Sequence, residues 1–171
     1  VHSERTRRQS AMRAVHGSES LGGLGKAVGA VGAALGVVVL GAGPAAADGP
    51  VQVKSRLGDV CLDAPTGSWY SALLINPCNG SDFQRWNVNG LQLESVAFPG
   101  SCLTKPSDSA FARLGPCLNM PGQRWTAQPD GQVTTALLGA CLTVLGGPDP
   151  ATLVSTRWCN GDAGQGWDYV P

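Results

Sequence analysis

The side chains of this sequence with chemical potential are six cysteines, five tryptophans, two histidines and twelve acidic residues. Both histidines, His2 and His16, stand near the start, so the rest of the chain has no imidazole. Neither a Ser-His-Asp arrangement nor a Cys nucleophile with its customary base can be assembled there. Paired carboxylates for glycoside cleavage remain conceivable, because spacing along the chain does not fix their separation in space. The cysteines are spaced more widely than in a zinc knuckle and lack histidine partners, which argues against a metal. Gly22, Gly23 and Gly25 before Lys26 do not match a phosphate-binding loop. The expectation is a protein without catalytic residues, cofactor or metal.

At 171 residues the chain has room for about one domain, and none for a catalytic module beside a binding module. Charged residues make up 14% and the formal net charge is zero. Of twelve basic and twelve acidic residues, five and two precede Asp48, leaving seven and ten. The seven, Lys54, Arg56, Arg85, Lys105, Arg113, Arg124 and Arg157, are dispersed along the chain. That is the pattern of a solvated surface, and it speaks against a nucleic-acid partner or a heparin-like one.

The elements that must position the reactive residues come in threes. Cys61-Leu62, Cys78 and Gln84-Arg85-Trp86 recur as Cys102-Leu103, Cys117 and Gln123-Arg124-Trp125, and again as Cys141-Leu142, Cys159 and Gln165-Gly166-Trp167. The second Cys precedes the Gln by six residues each time, and the first Cys positions step by 41 and 39. A period near forty residues indicates a stacked or closed repeat architecture. Runs such as Val51-Gln52-Val53-Lys54 and Leu91-Gln92-Leu93-Glu94 are short and alternate in polarity, so they are strands. Pro129-Asp130-Gly131 and Gly146-Gly147-Pro148-Asp149-Pro150 supply turns that would break a helix.

Six cysteines allow fifteen connectivities, but repetition makes Cys61–Cys78, Cys102–Cys117 and Cys141–Cys159 the most economical. Each pair would close a loop whose chain entropy is worth ~3 kcal/mol. Trp86, Trp125 and Trp167 are expected to meet in a shared core, each beside a buried amide from Gln84, Gln123 or Gln165.

Residues 1–47 differ in kind. Arg5, Arg7, Arg8, Arg13 and Lys26 precede an apolar segment around Val28 to Leu40, followed by Pro44-Ala45-Ala46-Ala47. This is the layout of a helical secretory signal with cleavage before Asp48, and Met12 is the expected start of translation. The uncharged run is about long enough to span a bilayer, so a retained anchor is the alternative. Its glycines and Pro44 weaken that alternative. An exported, extracellular or envelope-associated protein suits the disulfides.

The threefold recurrence of Cys-Leu, Cys and Gln-x-Trp over about residues 51–170 resembles the ricin B-type lectin domain. The resemblance implies an all-β fold over residues 48–171, a β-trefoil of three lobes near 51–90, 91–130 and 131–171. Six of its twelve strands would form a barrel and six would cap one end as hairpins. It also implies non-covalent binding of a glycan, galactose-type or xylan-type. A pocket of this family uses an Asp two residues after the first Cys, an aromatic two before the second Cys, and an Asn before the Gln. A carboxylate, a ring and an amide together suit the hydroxyl belt and C–H face of a pyranose.

Here the first lobe keeps Asp63 and Gln84, with Asn76 at the aromatic position and Phe83 at the Asn position. The second has Thr104, Gly115 and Gly122, and the third Thr143, Arg157 and Gly164. The first lobe is therefore the expected site. Trp69 and Tyr70 would supply the stacking surface that Asn76 cannot, or else pack their loop against the barrel. Asn79 would add a polar contact, although Asn79-Gly80 is equally a turn signal. Phe111 occupies a comparable loop in the second lobe, and Trp158 stands where the other lobes have Pro. The expected partner is a glycan, with no nucleic acid, no stable membrane insertion after signal removal, and a monomeric state. One carboxylate-bearing lobe implies weak agglutination. The competing function is a trefoil with degenerate sugar sites that binds or inhibits a protein.

Overall fold

A computed structural model describes residues 49–171. The signal, its cleavage and the start site lie outside the described residues. The first lobe holds β1 (Val51–Ser55), β2 (Val60–Asp63), β3 (Leu74–Pro77) and β4 (Arg85–Asn89). The second holds β5 (Gln92–Ser95), β6 (Ser101–Thr104), β7 (Arg113–Pro116) and β8 (Trp125–Ala127). The third holds β9 (Val133–Thr135), β10 (Cys141–Val144), β11 (Thr152–Arg157) and β12 (Trp167–Val170). The helical elements among the described residues are three 3₁₀ turns, Asp82–Gln84, Pro121–Gln123 and Ala163–Gln165, each ending on a Gln of Gln-x-Trp. The chain is the all-β trefoil expected.

Each lobe closes on itself in the same way. Trp86 lies opposite Val51 in the β1–β4 ladder, the Trp125 amide donates to the Leu91 carbonyl, and the Trp167 amide to that of Gly131. Further pairing of β4 with β5, β8 with β9 and β12 with β1 closes the barrel. The hairpins β2–β3, β6–β7 and β10–β11 make the cap. They touch through Leu74 opposite Leu153, a bridge from Ala72 to Arg113 and one from Phe111 to Ser155.

The apolar side of each strand faces one core containing Trp86, Trp125 and Trp167 with Leu62, Leu103 and Leu142. Each indole Nε1–H donates to the carbonyl of the Leu after its lobe's first Cys, at 3.3, 2.9 and 2.9 Å. A buried indole otherwise loses its water partner, so this bond lets the ring enter the core without an orphaned donor. The three disulfides pair as the repeats indicate.

The third repeat has Gly166 where the others have Arg85 and Arg124, and the structure gives a reason. The Arg56 side chain lies over Gly166, and a Cβ there would sit 2.9 Å from Arg56 Cδ. Arg56 donates from Nε and Nη2 to Asp168 and from Nη1 to the Asp130 carbonyl, tying β1 to β12 and to the turn opening the third lobe. The Arg56 hydrogen bonds hold the Asp168 carboxyl below its usual range. A folded pKa depressed in this way contributes stability above the unfolded value of about 3.9, and that contribution is lost as pH falls through the folded pKa. Both groups are half-exposed, so salt screens the pair. Arg56→Met should therefore lower stability at neutral pH, with the gap from the native protein narrowing once Asp168 is protonated. Urea unfolding of both proteins at neutral and strongly acidic pH checks this; a gap independent of pH would leave the ion pair without a role.

Candidate functional site

Each Gln of Gln-x-Trp performs the same scaffold task. The Nε2 of Gln84, Gln123 and Gln165 donates to the carbonyl just before the second Cys, that of Pro77, Pro116 or Trp158. Oε1 accepts from the amide of Asn79, Leu118 or Asn160, one residue past that Cys. The second Nε2 proton goes to the residue two after the first Cys: Asp63, Thr104 or Thr143. Gln84 is fully buried and positions Asp63.

That last acceptor separates the lobes. The hydroxyls of Thr104 and Thr143 accept from the Gln and donate to the carbonyls of Cys102 and Cys141, at 2.8 and 2.9 Å. Both are satisfied within their own lobe. Asp63, only 6% exposed, accepts at Oδ2 from Gln84 Nε2 (3.0 Å) and Asn76 Nδ2 (3.1 Å). Its Oδ1 is buried and has no donor. An unmatched buried carboxylate oxygen is costly, and a hydroxyl reaching it would recover a charge-assisted hydrogen bond.

Asn76 completes this anchor from β3. Its Oδ1 accepts from the Ala151 amide of the third lobe, which fixes the orientation in which Nδ2 meets Asp63. Asn79 takes the turn role, its Oδ1 accepting from the Ser81 amide at 2.9 Å. Beside the anchor the Ala64 amide donates to the Phe83 carbonyl, and the Phe83 ring lies 5.9 Å from that of Phe98, tilted by 49°. Phe83 is half-exposed, so its ring offers an apolar surface, backed by Phe98 of the second lobe. Phe98, in the turn between β5 and β6, carries no signal of this in the sequence.

Trp69 and Tyr70 are exposed, and both line a cleft of about 530 Å³ with Thr104, Lys105, Gly115 and Gly122 of the second lobe. Asp63 does not line that cleft. The cause is the path of their loop: the Ala72–Arg113 bridge and the bond from the Leu73 amide to the Ala112 carbonyl carry it toward the second lobe. The residues expected to gather at one site thus divide, with Asp63, Asn76, Asn79 and Gln84 together and the two aromatics apart. The second lobe has no space for the missing pocket side chains. A Cβ on Gly122 would overlap the Lys105 carbonyl oxygen, and one on Gly115 would sit 2.9 Å from Thr104 Oγ1.

Gln52, Gln92 and Gln132 form a fourth recurring position, at intervals of forty, whose role is visible only in the structure. Gln92 and Gln132 donate toward Gln123 and Gln165 at 3.3 and 3.5 Å, whereas Gln52 Nε2 is buried without an acceptor. Their alternation within β-runs disguised them as ordinary strand residues.

Among the described residues no helix is long and apolar enough to cross a membrane. The chain is 61% identical over 153 residues to an uncharacterized protein of Mycobacterium tuberculosis, covering 88% of this chain and 96% of that one. The C-half of an earthworm R-type lectin, solved in complex with GalNAc, superposes with a TM-score of 0.61 at 13% identity, over 71% of this chain and 98% of that one. The β-trefoil lectin of the Vibrio vulnificus hemolysin/cytolysin, solved with N-acetyl-D-lactosamine bound, gives 0.58 at 20% identity, over 73% and 96%. The ricin-type β-trefoil lectin domain matches residues 49–167, the whole barrel and cap up to the last core tryptophan, and this chain belongs to that family.

Proposed function

We propose that this protein is an exported lectin that holds a neutral glycan through its first lobe and leaves it chemically unchanged. The observation that carries this reading is the buried, donor-less Asp63 Oδ1, held in place by Asn76 and Gln84, with the Phe83 backbone bonded to the next residue, Ala64. A small shift that opens Oδ1 would let a sugar hydroxyl donate to it while the C–H face of the sugar meets the half-exposed Phe83. Gln84 and Asn76 act as positioning residues, Asn79 shapes the turn, and the threonines of the other lobes have no comparable free acceptor. Galactose-configured sugars are the first to test, because the two lectin neighbours hold GalNAc and N-acetyl-D-lactosamine. The leader and the three disulfides support export.

Hydrogen bonds to a charged group are worth about 1.5–3 kcal/mol, so Asp63→Ala should weaken binding by about tenfold to a hundredfold. A glycan array followed by titration calorimetry measures this, with circular dichroism to show that the variant is folded. Undiminished binding by a folded Asp63→Ala variant would remove the first lobe from the reading. An array without any bound sugar, together with capture of a protein partner, would favour a protein-binding trefoil.

A further inference from the structure

The second and third lobes meet at a cleft of about 570 Å³ lined by Lys105, Leu138, Ser155, Thr156, Arg157 and Trp158, among others. Its volume falls in the range of small-ligand sites. Thr143 and Gly164, the third lobe's counterparts of Asp63 and Phe83, do not line it; Arg157 and Asn160, the counterparts of Asn76 and Asn79, do, so the cleft overlaps that lobe's equivalent of the anchor without its carboxylate position.

Its charge is unusual for this chain. Of the seven basic residues from Asp48 on, Lys54, Arg56, Arg85 and Arg113 each lie within ion-pair distance of an aspartate. Arg124 donates to Asn119. Lys105 and Arg157 pair with no carboxylate among the described residues, and they line this same cleft, which no acidic residue lines. Two cations that line one cleft without a carboxylate partner give it a positive potential that favours an anionic ligand.

Trp158 adds an exposed ring on a rigid mount. It is 77% exposed, yet its carbonyl accepts from the buried Gln165 and the next residue is held by the Cys141–Cys159 disulfide. Large apolar surface left open on a fixed backbone marks a contact site, and Trp and Arg dominate the residues that contribute most at such sites. The neutral polar groups nearby are already engaged. The Ser155 and Thr156 hydroxyls both donate to the Ala110 carbonyl, and the Asn160 side chain closes on Asp162. Lys105 Nζ donates to the Pro106 carbonyl at 3.2 Å, which leaves its remaining protons, the Arg157 guanidinium and an indole face for a ligand.

We propose that this cleft is a second saccharide site, selective for a carboxylate-bearing sugar whose ring lies on Trp158 and whose carboxylate meets Arg157 and Lys105. A planar guanidinium matches a carboxylate with two parallel hydrogen bonds, which a neutral sugar cannot exploit. The site rests on the lectin reading of the fold and is independent of Asp63.

The test compares trigalacturonate as the free acid with its methyl ester, which keeps the sugar and removes the charge, by calorimetry on the disulfide-bonded protein. The free acid should bind at least about tenfold more tightly than the ester, and raising the salt should weaken it. Trp158→Ala and the double substitution Lys105→Gln with Arg157→Gln should each lower affinity for the acid about tenfold, with unchanged thermal unfolding. Asp63→Ala should bind the acid like the native protein. Equal affinity for acid and ester, or native affinity in the double variant, would overturn the proposal. Binding of neutral galactosides with none of the acid would defeat this site alone, while the reverse pattern would defeat the first-lobe reading and leave this one standing.

Discussion

Trp86→Ala should destabilise the domain by about 3–5 kcal/mol, which is the range for truncating a fully buried aromatic ring. The ring is inaccessible to solvent, and its Nε1–H is the donor for the Leu62 carbonyl. Truncation therefore removes apolar contacts, leaves a cavity at the joint between β1 and β4, and strips a buried carbonyl of its partner. Small domains have about 5–15 kcal/mol in total, so this one change removes a large share. Calorimetry should show the melting temperature falling by roughly 10–20 °C. Trp86→Phe, which keeps most of the volume and loses the donor, should cost less. A loss below about 1 kcal/mol for the alanine variant would contradict a core centred on the three indoles.

The second large effect concerns sulfur. The three bridges close segments with sequence separations of 17, 15 and 18 residues. Chain-entropy estimates give each about 3 kcal/mol. Replacing both partners of one bridge by alanine should take away that amount, measured by urea unfolding. Reducing all three approaches the whole stability of a domain this size, so a thiol reductant should unfold the protein cooperatively near room temperature. Each bridge also ties the first strand of a cap hairpin to the segment just past the second, inside one lobe, Cys61 on β2, Cys102 on β6 and Cys141 on β10 being buried. Loss of one bridge is therefore expected to loosen its own hairpin most, visible as faster amide exchange there. Retention of the fold under full reduction would mean that packing alone suffices.

How much of this was legible in the sequence depends on the range of the interaction. Strands, turns, bridges and indole positions follow from spacing inside one repeat, because each lobe is built on the same local plan. Asp63, Asn76 and Gln84 were singled out by the resemblance, and they meet because they belong to one hairpin and the turn after it. The approach of Trp69 and Tyr70 to the second lobe was not, since it depends on how the lobe-one loop is pinned to Ala112 and Arg113. Gly166, where the other repeats carry Arg, gives clearance to Arg56, a residue 110 positions earlier and therefore outside the repeat. Lys105 and Arg157 looked dispersed because they are 52 residues apart, and only the meeting of two lobes puts them on one cleft.

The pairing of β1 with β12 sets Gln52 opposite Val170, so the two ends of the domain emerge side by side. A trefoil whose ends meet has no privileged beginning. The same fold could be read from any of its three lobes, with the present ends stitched together by a short linker and new ones opened at an outer turn such as Asn89-Gly90. It could equally be spliced into a surface loop of an unrelated host without parting the sites of insertion. Circular permutation and modular grafting are thus open to this domain by virtue of one antiparallel ladder.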